Sequence, residues 1–169
     1  MITTQLKRDQ EKWVASSIIN CLQLRDFYFD RMGNDINEPD VIFNSNGIMV
    51  GFEIASAYLD EECARFEWDY ARGNRSDFGA TSPLQINPKE KFSIFLQRLL
   101  YVKCKKSLEY TGVDQLWLGI EERNPLSNSN AIKSSLKSIQ LPENKFDQIH
   151  ILHLSPLHEG GKYKVFTLK

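Results

Sequence analysis

Residues 38–58 read EPDVIFNSNGIMVGFEIASAY. Val41–Asn44 is a short β-prone run, SNG at 45–47 is a hairpin signal, and Ile48–Ala55 is the returning strand. Asn and Gly tolerate the positive φ that a tight hairpin turn needs. Two acids stand out. Asp40 opens the first strand directly after Pro39, and Glu53 stands alone inside the apolar run VGFEIASA. A carboxylate in an apolar strand is costly unless it is paired or holds a metal. The hairpin carries Asp40 and Glu53 to the same end of a sheet. Two carboxylates there form a hard oxygen site suited to Mg²⁺, or Mn²⁺ in its place, with water filling the remaining positions. The plainer alternatives are that Asp40 shapes a turn after proline and that Glu53 points to water while Phe52 and Ile54 face the core.

Outward from the hairpin, residues 3–24 have helical spacing at Val14, Ile18, Cys21 and Leu22, with Thr4 as a cap. Residues 26–37 read as a short strand and a loop, and 59–71 as a helix with an acidic start. The longest helical pattern spans 88–111, with Pro88 near its start and Gly112 as its stop. QLWLGI at 115–120 is a buried strand, 131–139 a short helix, and 148–154 and 163–168 are strands with a Gly-Gly turn at 160–161 between them. The order implies an α/β domain, a mixed sheet flanked by helices.

The constellation Pro39-Asp40, hairpin, Glu53-Ile54-Ala55 resembles the PD-(D/E)xK nuclease superfamily, whose fold is restriction-endonuclease-like. That family's core is a helix, a three-stranded meander, a helix and a further strand. Here the corresponding pieces are 3–24, the strands around 27–30, 41–44 and 48–55, the helix 88–111 and the strand 115–120. The resemblance covers roughly residues 3–120, with strands in 148–168 extending the sheet of a single domain over 1–169. It implies metal-dependent hydrolysis of nucleic acid, DNA before RNA, in a setting such as bacterial or phage DNA processing or defence. A catalytically silent module that binds nucleic acid or a partner protein is the alternative, and an unrelated α/β interaction protein the third reading. The family's lysine, two residues after the acid, is here Ala55.

The long helix offers a replacement. At about 100° per residue, Phe92, Leu96, Leu99, Lys103, Lys106 and Tyr110 share one stripe. Lys103 lies in the core face, so either its stem packs while the ammonium snorkels out or it meets an anion such as Asp40, Glu53 or a phosphate. Lys106 is the second choice. The family often adds an acid from its first helix, and Glu11 is spaced to face inward with Val14 and Ile18, with Gln10 nearly as well placed. Lys106, with Arg72 and Arg75 of the loop ARGNRSDFG, is a candidate contact for a phosphate backbone. A plain solvated loop is the alternative for the two arginines.

With 169 residues and a net charge of −1, the chain suggests one domain with no global basic field. Binding of nucleic acid would then need a local patch, and specificity a homodimer or partner chain. The three cysteines, Cys21, Cys63 and Cys104, are odd in number and form no CxxC pair, as in a reducing compartment. No apolar run of about 18 residues suggests a membrane span, and MITTQLKRDQEKW is too polar for a signal peptide. The expectation is a cytoplasmic protein. His150 and His153 fall on opposite faces of a strand, so a shared metal is not expected.

Overall fold

The computed structural model describes residues 2–34, 36–57, 88–123, 128–154 and 161–169. Helix α1 (Ile2–Cys21) leads into the meander β1 (Phe27–Met32), β2 (Val41–Ser45) and β3 (Ile48–Ala57). Helix α2 (Pro88–Ser107), strand β4 (Gln115–Glu122), helix α3 (Ser129–Lys137) and strands β5 (Gln148–Leu154) and β6 (Tyr163–Thr167) follow. The expected helix at 59–71 and the loop carrying Arg72 and Arg75 lie outside the described residues. No described helix is long and apolar enough to cross a membrane.

The six described strands form one sheet in sequence order. β1–β2–β3 is antiparallel, β3, β4 and β5 run parallel, and β6 returns antiparallel on β5. The β2–β3 hairpin turns on Asn46 and Gly47, both at positive φ (52° and 87°). The Asn44 side chain accepts from the Gly47 N–H at 3.0 Å. Such a turn suits the twist of the flanking strands.

Parallel strands joined through helices have both faces covered. Here α1 covers one face: Val14, Ala15, Ile18 and Ile19 pack on Val50, Phe52, Ile54, Trp117 and Leu152. Helices α2 and α3 cover the other, where Phe92, Leu96, Leu100, Cys104 and Ile132 meet Leu116, Leu118, Ile120, Ile149 and Ile151. Strand alternation divides β3 between them. The two-faced burial removes the water-facing alternative for Glu53, which is only 1% exposed.

Both long helices end earlier than the sequence expectation. α1 stops at Cys21, and the chain then passes through left-handed residues Gln23 and Asp26. α2 stops at Ser107, four residues before 111. There the Ser107 hydroxyl donates to the Cys104 carbonyl at 2.6 Å and accepts from the Lys145 N–H at 2.9 Å. A serine bonded this way competes with the helical ladder. The chain after it tightens: Leu108, Glu109 and Tyr110 each donate to the carbonyl three residues back. Trp117 is core, whereas Trp13 is 41% exposed with its ring edge against Tyr163. Cys104 is buried and Cys21 half-buried.

Candidate functional site

Glu53 and α2 occupy the same side of the sheet, because Ala57, two pairs of residues further along β3, packs in the α2 cluster. Glu53 therefore looks at the helix stripe. Lys103 Nζ donates to Glu53 Oε1 at 2.6 Å, and Lys106 Nζ lies 3.4 Å from the same oxygen. The Tyr110 hydroxyl donates to Glu53 Oε2. Lys103 also reaches the Ile54 carbonyl at 3.4 Å. Its side chain is 20% exposed, so the stem and ammonium turn inward and do not snorkel to solvent. Among the described residues, the hydrogen bonds that Glu53 accepts through its carboxylate come from α2 and the turn behind it.

Asp40 is held by the backbone around it. β2 pairs Val41 with Phe52, so continuing the register sets Asp40 beside Glu53. Its Oδ2 accepts from the Ile54 N–H at 2.7 Å, and its carbonyl accepts from the Gly33 N–H at 3.0 Å. Pro39 explains why the pair opens the strand. Its ring rests on Gly51, where any Cβ would stand 2.2 Å from Pro39 Cγ. A Cβ on Gly33 would stand 1.7 Å from the Pro39 carbonyl oxygen. The proline is thus sandwiched between two glycine backbones, and Asp40 is fixed with it. The preceding loop is tied down as well. Arg31 clasps Glu38 through two nitrogens at 2.8 and 2.7 Å, and Asn37 bonds Thr111 through backbone and side chain.

Asp40 faces a cleft of about 390 Å³. α1 contributes Thr4, Lys7, Arg8 and Glu11, the β1–β2 connection Gly33, Asn34 and Glu38, and α2 Lys106. Glu11 is buried to 7% exposure and pairs with Lys7 at 3.1 Å. The cleft mixes carboxylates and cations on opposing helices, a local pattern that a net charge of −1 conceals.

Environment separates the two strand acids. Burial pushes the Asp40 carboxyl up to about 7, helped by the charges of Glu53 and Glu11 and opposed by the Ile54 N–H and Lys103. Burial also pushes Glu53 upward, but Lys103, Tyr110 and Lys106 together overcome it and hold Glu53 below the usual carboxylate range. The Tyr110 phenol is driven upward by burial and by its bond to Glu53. Two neighbouring carboxylates pushed in opposite directions mark a site where charge is managed.

Of the residues singled out from sequence, Asp40, Glu53, Lys103, Lys106 and Glu11 come together, whereas Arg72 and Arg75 lie outside the described residues. Tyr110 had been read only as a member of the stripe. The signal was its seven-residue spacing from Lys103, and the contact arises beyond the helix end. His150 and His153 do face opposite sides. His150 bonds Thr167 and Gln148, and His153 Nδ1 lies 2.7 Å from Glu122.

A hard divalent ion keeps several waters and asks for one or two carboxylates besides substrate oxygens. Asp40, with one oxygen on the Ile54 N–H and its side of the strand open to the cleft, fits that demand. Glu11 borders the same cleft, and Glu53 stands beside Asp40 with its hydrogen bonds directed at α2. Among the described residues no group of three or more metal-ligating side chains is assembled.

No protein-family model matches the chain, and no curated protein matches it. Among solved structures, SfsA of Pyrococcus furiosus in complex with Ca²⁺ is similar at 10% sequence identity and a TM-score of 0.31. The likeness covers 98% of this chain and 62% of that one, so the chain spans less than two thirds of that protein. A superposition that loose carries no argument about chemistry.

Proposed function

We propose that this chain hydrolyses phosphodiester bonds of nucleic acid, DNA before RNA, with Mg²⁺ or Mn²⁺ as cofactor. The observation that supports the reading is the Lys103–Glu53 contact at 2.6 Å beside Asp40. A lysine from α2 stands against the strand acid whose own i+2 position is Ala55, so the ammonium missing from β3 arrives from the facing helix. Asp40 would be the primary ligand of the ion, with Glu11 bordering the same cleft, while Glu53, held by Lys103 and Tyr110, would join it only on release. A divalent ion held there would supply a more acidic water and a counter-charge for phosphoryl oxygens.

The chain's own groups supply the rest. Lys103 carries fixed positive charge to where negative charge develops on phosphorus oxygens. Lys7, Arg8 and Lys106 border the cleft and would contact a phosphate backbone. Buried Glu53 pairs with Lys103 and aims it. Bacterial or phage DNA processing or defence is the proposed setting. A second copy of the chain or a partner protein would supply target recognition.

One observation favours a second reading, a binding module that has lost hydrolysis: both Glu53 oxygens accept bonds from the chain's own donors. The two readings separate with linear, circular and single-stranded DNA and RNA incubated with Mg²⁺ or Mn²⁺. Cleavage abolished by Asp40→Ala and Glu53→Gln supports hydrolysis. Binding that persists in both variants with no cleavage by any of the proteins supports the module.

A further inference from the structure

Glu53 is fixed at both ends of its carboxylate, and the residue that fixes the second end is Tyr110. The hydroxyl bonds Oε2, while Oε1 carries both lysines. The same ring seats Lys106, whose Nζ lies 5.2 Å from the ring centroid. Tyr110 is itself immobilised. It is 5% exposed and its N–H donates to the Ser107 carbonyl in the tightened turn after α2. The next residue, Thr111, is tied to Asn37, two residues before Pro39. One short turn thus touches both halves of the site, Glu53 directly and Asp40 through its loop.

The geometry points to Tyr110 as a positioning residue that latches Glu53 onto the lysines of α2 and away from a metal ion at Asp40. The latch rests on the metal-dependent reading given above. In it Asp40 is the primary cation ligand and Glu53 a held anchor for Lys103 and Lys106. For Glu53 Oε2 to join an ion, the tyrosine bond has to break. A hydrogen bond to a buried charged group is strong enough that losing the hydroxyl shifts such an equilibrium by about tenfold or more.

The test is Mn²⁺ binding by calorimetry on the full chain, with wild type, Tyr110→Phe, Asp40→Asn and Tyr110→Phe/Glu53→Gln compared, and circular dichroism confirming the fold. Tyr110→Met serves as a second hydroxyl-free variant should the phenylalanine form not fold. Tyr110→Phe is expected to bind Mn²⁺ about tenfold more tightly than wild type. The double variant is expected to lose that gain, because the gain runs through Glu53. Unchanged or weaker binding in Tyr110→Phe overturns the latch, and so does a gain that survives in the double variant. In those cases, wild-type binding lost in Asp40→Asn leaves the metal site standing. Absence of Mn²⁺ binding from all four proteins removes the metal reading and the latch with it.

Discussion

Lys103 is the residue on which sequence reasoning had two answers, and burial decides between them. A lysine four residues past Leu99 on the core face either snorkels or finds an anion. The anion was legible too, as the lone carboxylate in an apolar strand. What the sequence could not supply was the pairing of the two, because a helix stripe and a strand alternation each fix a direction but not a mutual distance. The contact at 2.6 Å has an energetic consequence. Lys103→Met leaves Glu53, 1% exposed, with Tyr110 and the more distant Lys106. The expected loss in urea unfolding is about 1–3 kcal/mol. Lys103→Met/Glu53→Met removes both charges and is expected to recover most of that loss, since an apolar pair tolerates burial that a stranded carboxylate does not. A double variant no more stable than the single one would mean that the carboxylate is not stranded.

At the scale of elements, periodicity was informative where one force dominated. The hairpin followed from Ser-Asn-Gly, and the long helix from its apolar stripe. The end of α2 was missed because Ser107 diverts the ladder through contacts with Cys104 and Lys145, and the latter lies 38 residues away. The seating of Pro39 was equally invisible. Gly51 reads as an ordinary strand residue, yet it is the floor under the proline ring. Gly51→Ala puts a Cβ 2.2 Å from Pro39 Cγ and 2.9 Å from Val113 Cγ1. Overpacking of this kind costs about 1–3 kcal/mol. It also pushes Asp40 off the Ile54 N–H. The melting temperature and Mn²⁺ affinity are therefore expected to fall together. Pro39→Ala in the same chain is expected to restore part of both, because the clash is with a side chain. No such rescue is expected for Gly33→Ala, whose clash is with the Pro39 backbone carbonyl.

For the whole molecule, the decisive fact is that the sheet is covered on both faces, with His150 buried under one of them and Asp40 half-buried at the edge of a cleft. His150 bonds Thr167 and Gln148 and packs its ring on Trp117, toward α1. Burial pulls it from 6.5 down to about 4. Asp40 is pushed from 3.8 up to about 7. These shifts act on stability with opposite signs. Between about pH 6.5 and 4 the unfolded chain binds a proton at His150 that the folded chain refuses, so stability falls as the solution is acidified. Between about pH 7 and 3.8 the folded chain binds a proton at Asp40 that the unfolded chain releases, so stability rises on acidification. The two contributions oppose each other where their windows overlap, between about pH 6.5 and 4. The depressed Glu53 acts only below about pH 4.5, its ordinary value. Single substitutions therefore unmask the pair. In EDTA, Asp40→Asn is expected to lose stability steadily from pH 7 to 4.5, as His150 alone dictates. His150→Gln is expected to gain stability over the same interval, as Asp40 alone dictates. Urea unfolding at the two pH values gives both slopes. Because a constant cost of either substitution cancels in the slope, variants that share one slope would show that the two groups do not titrate as their surroundings require.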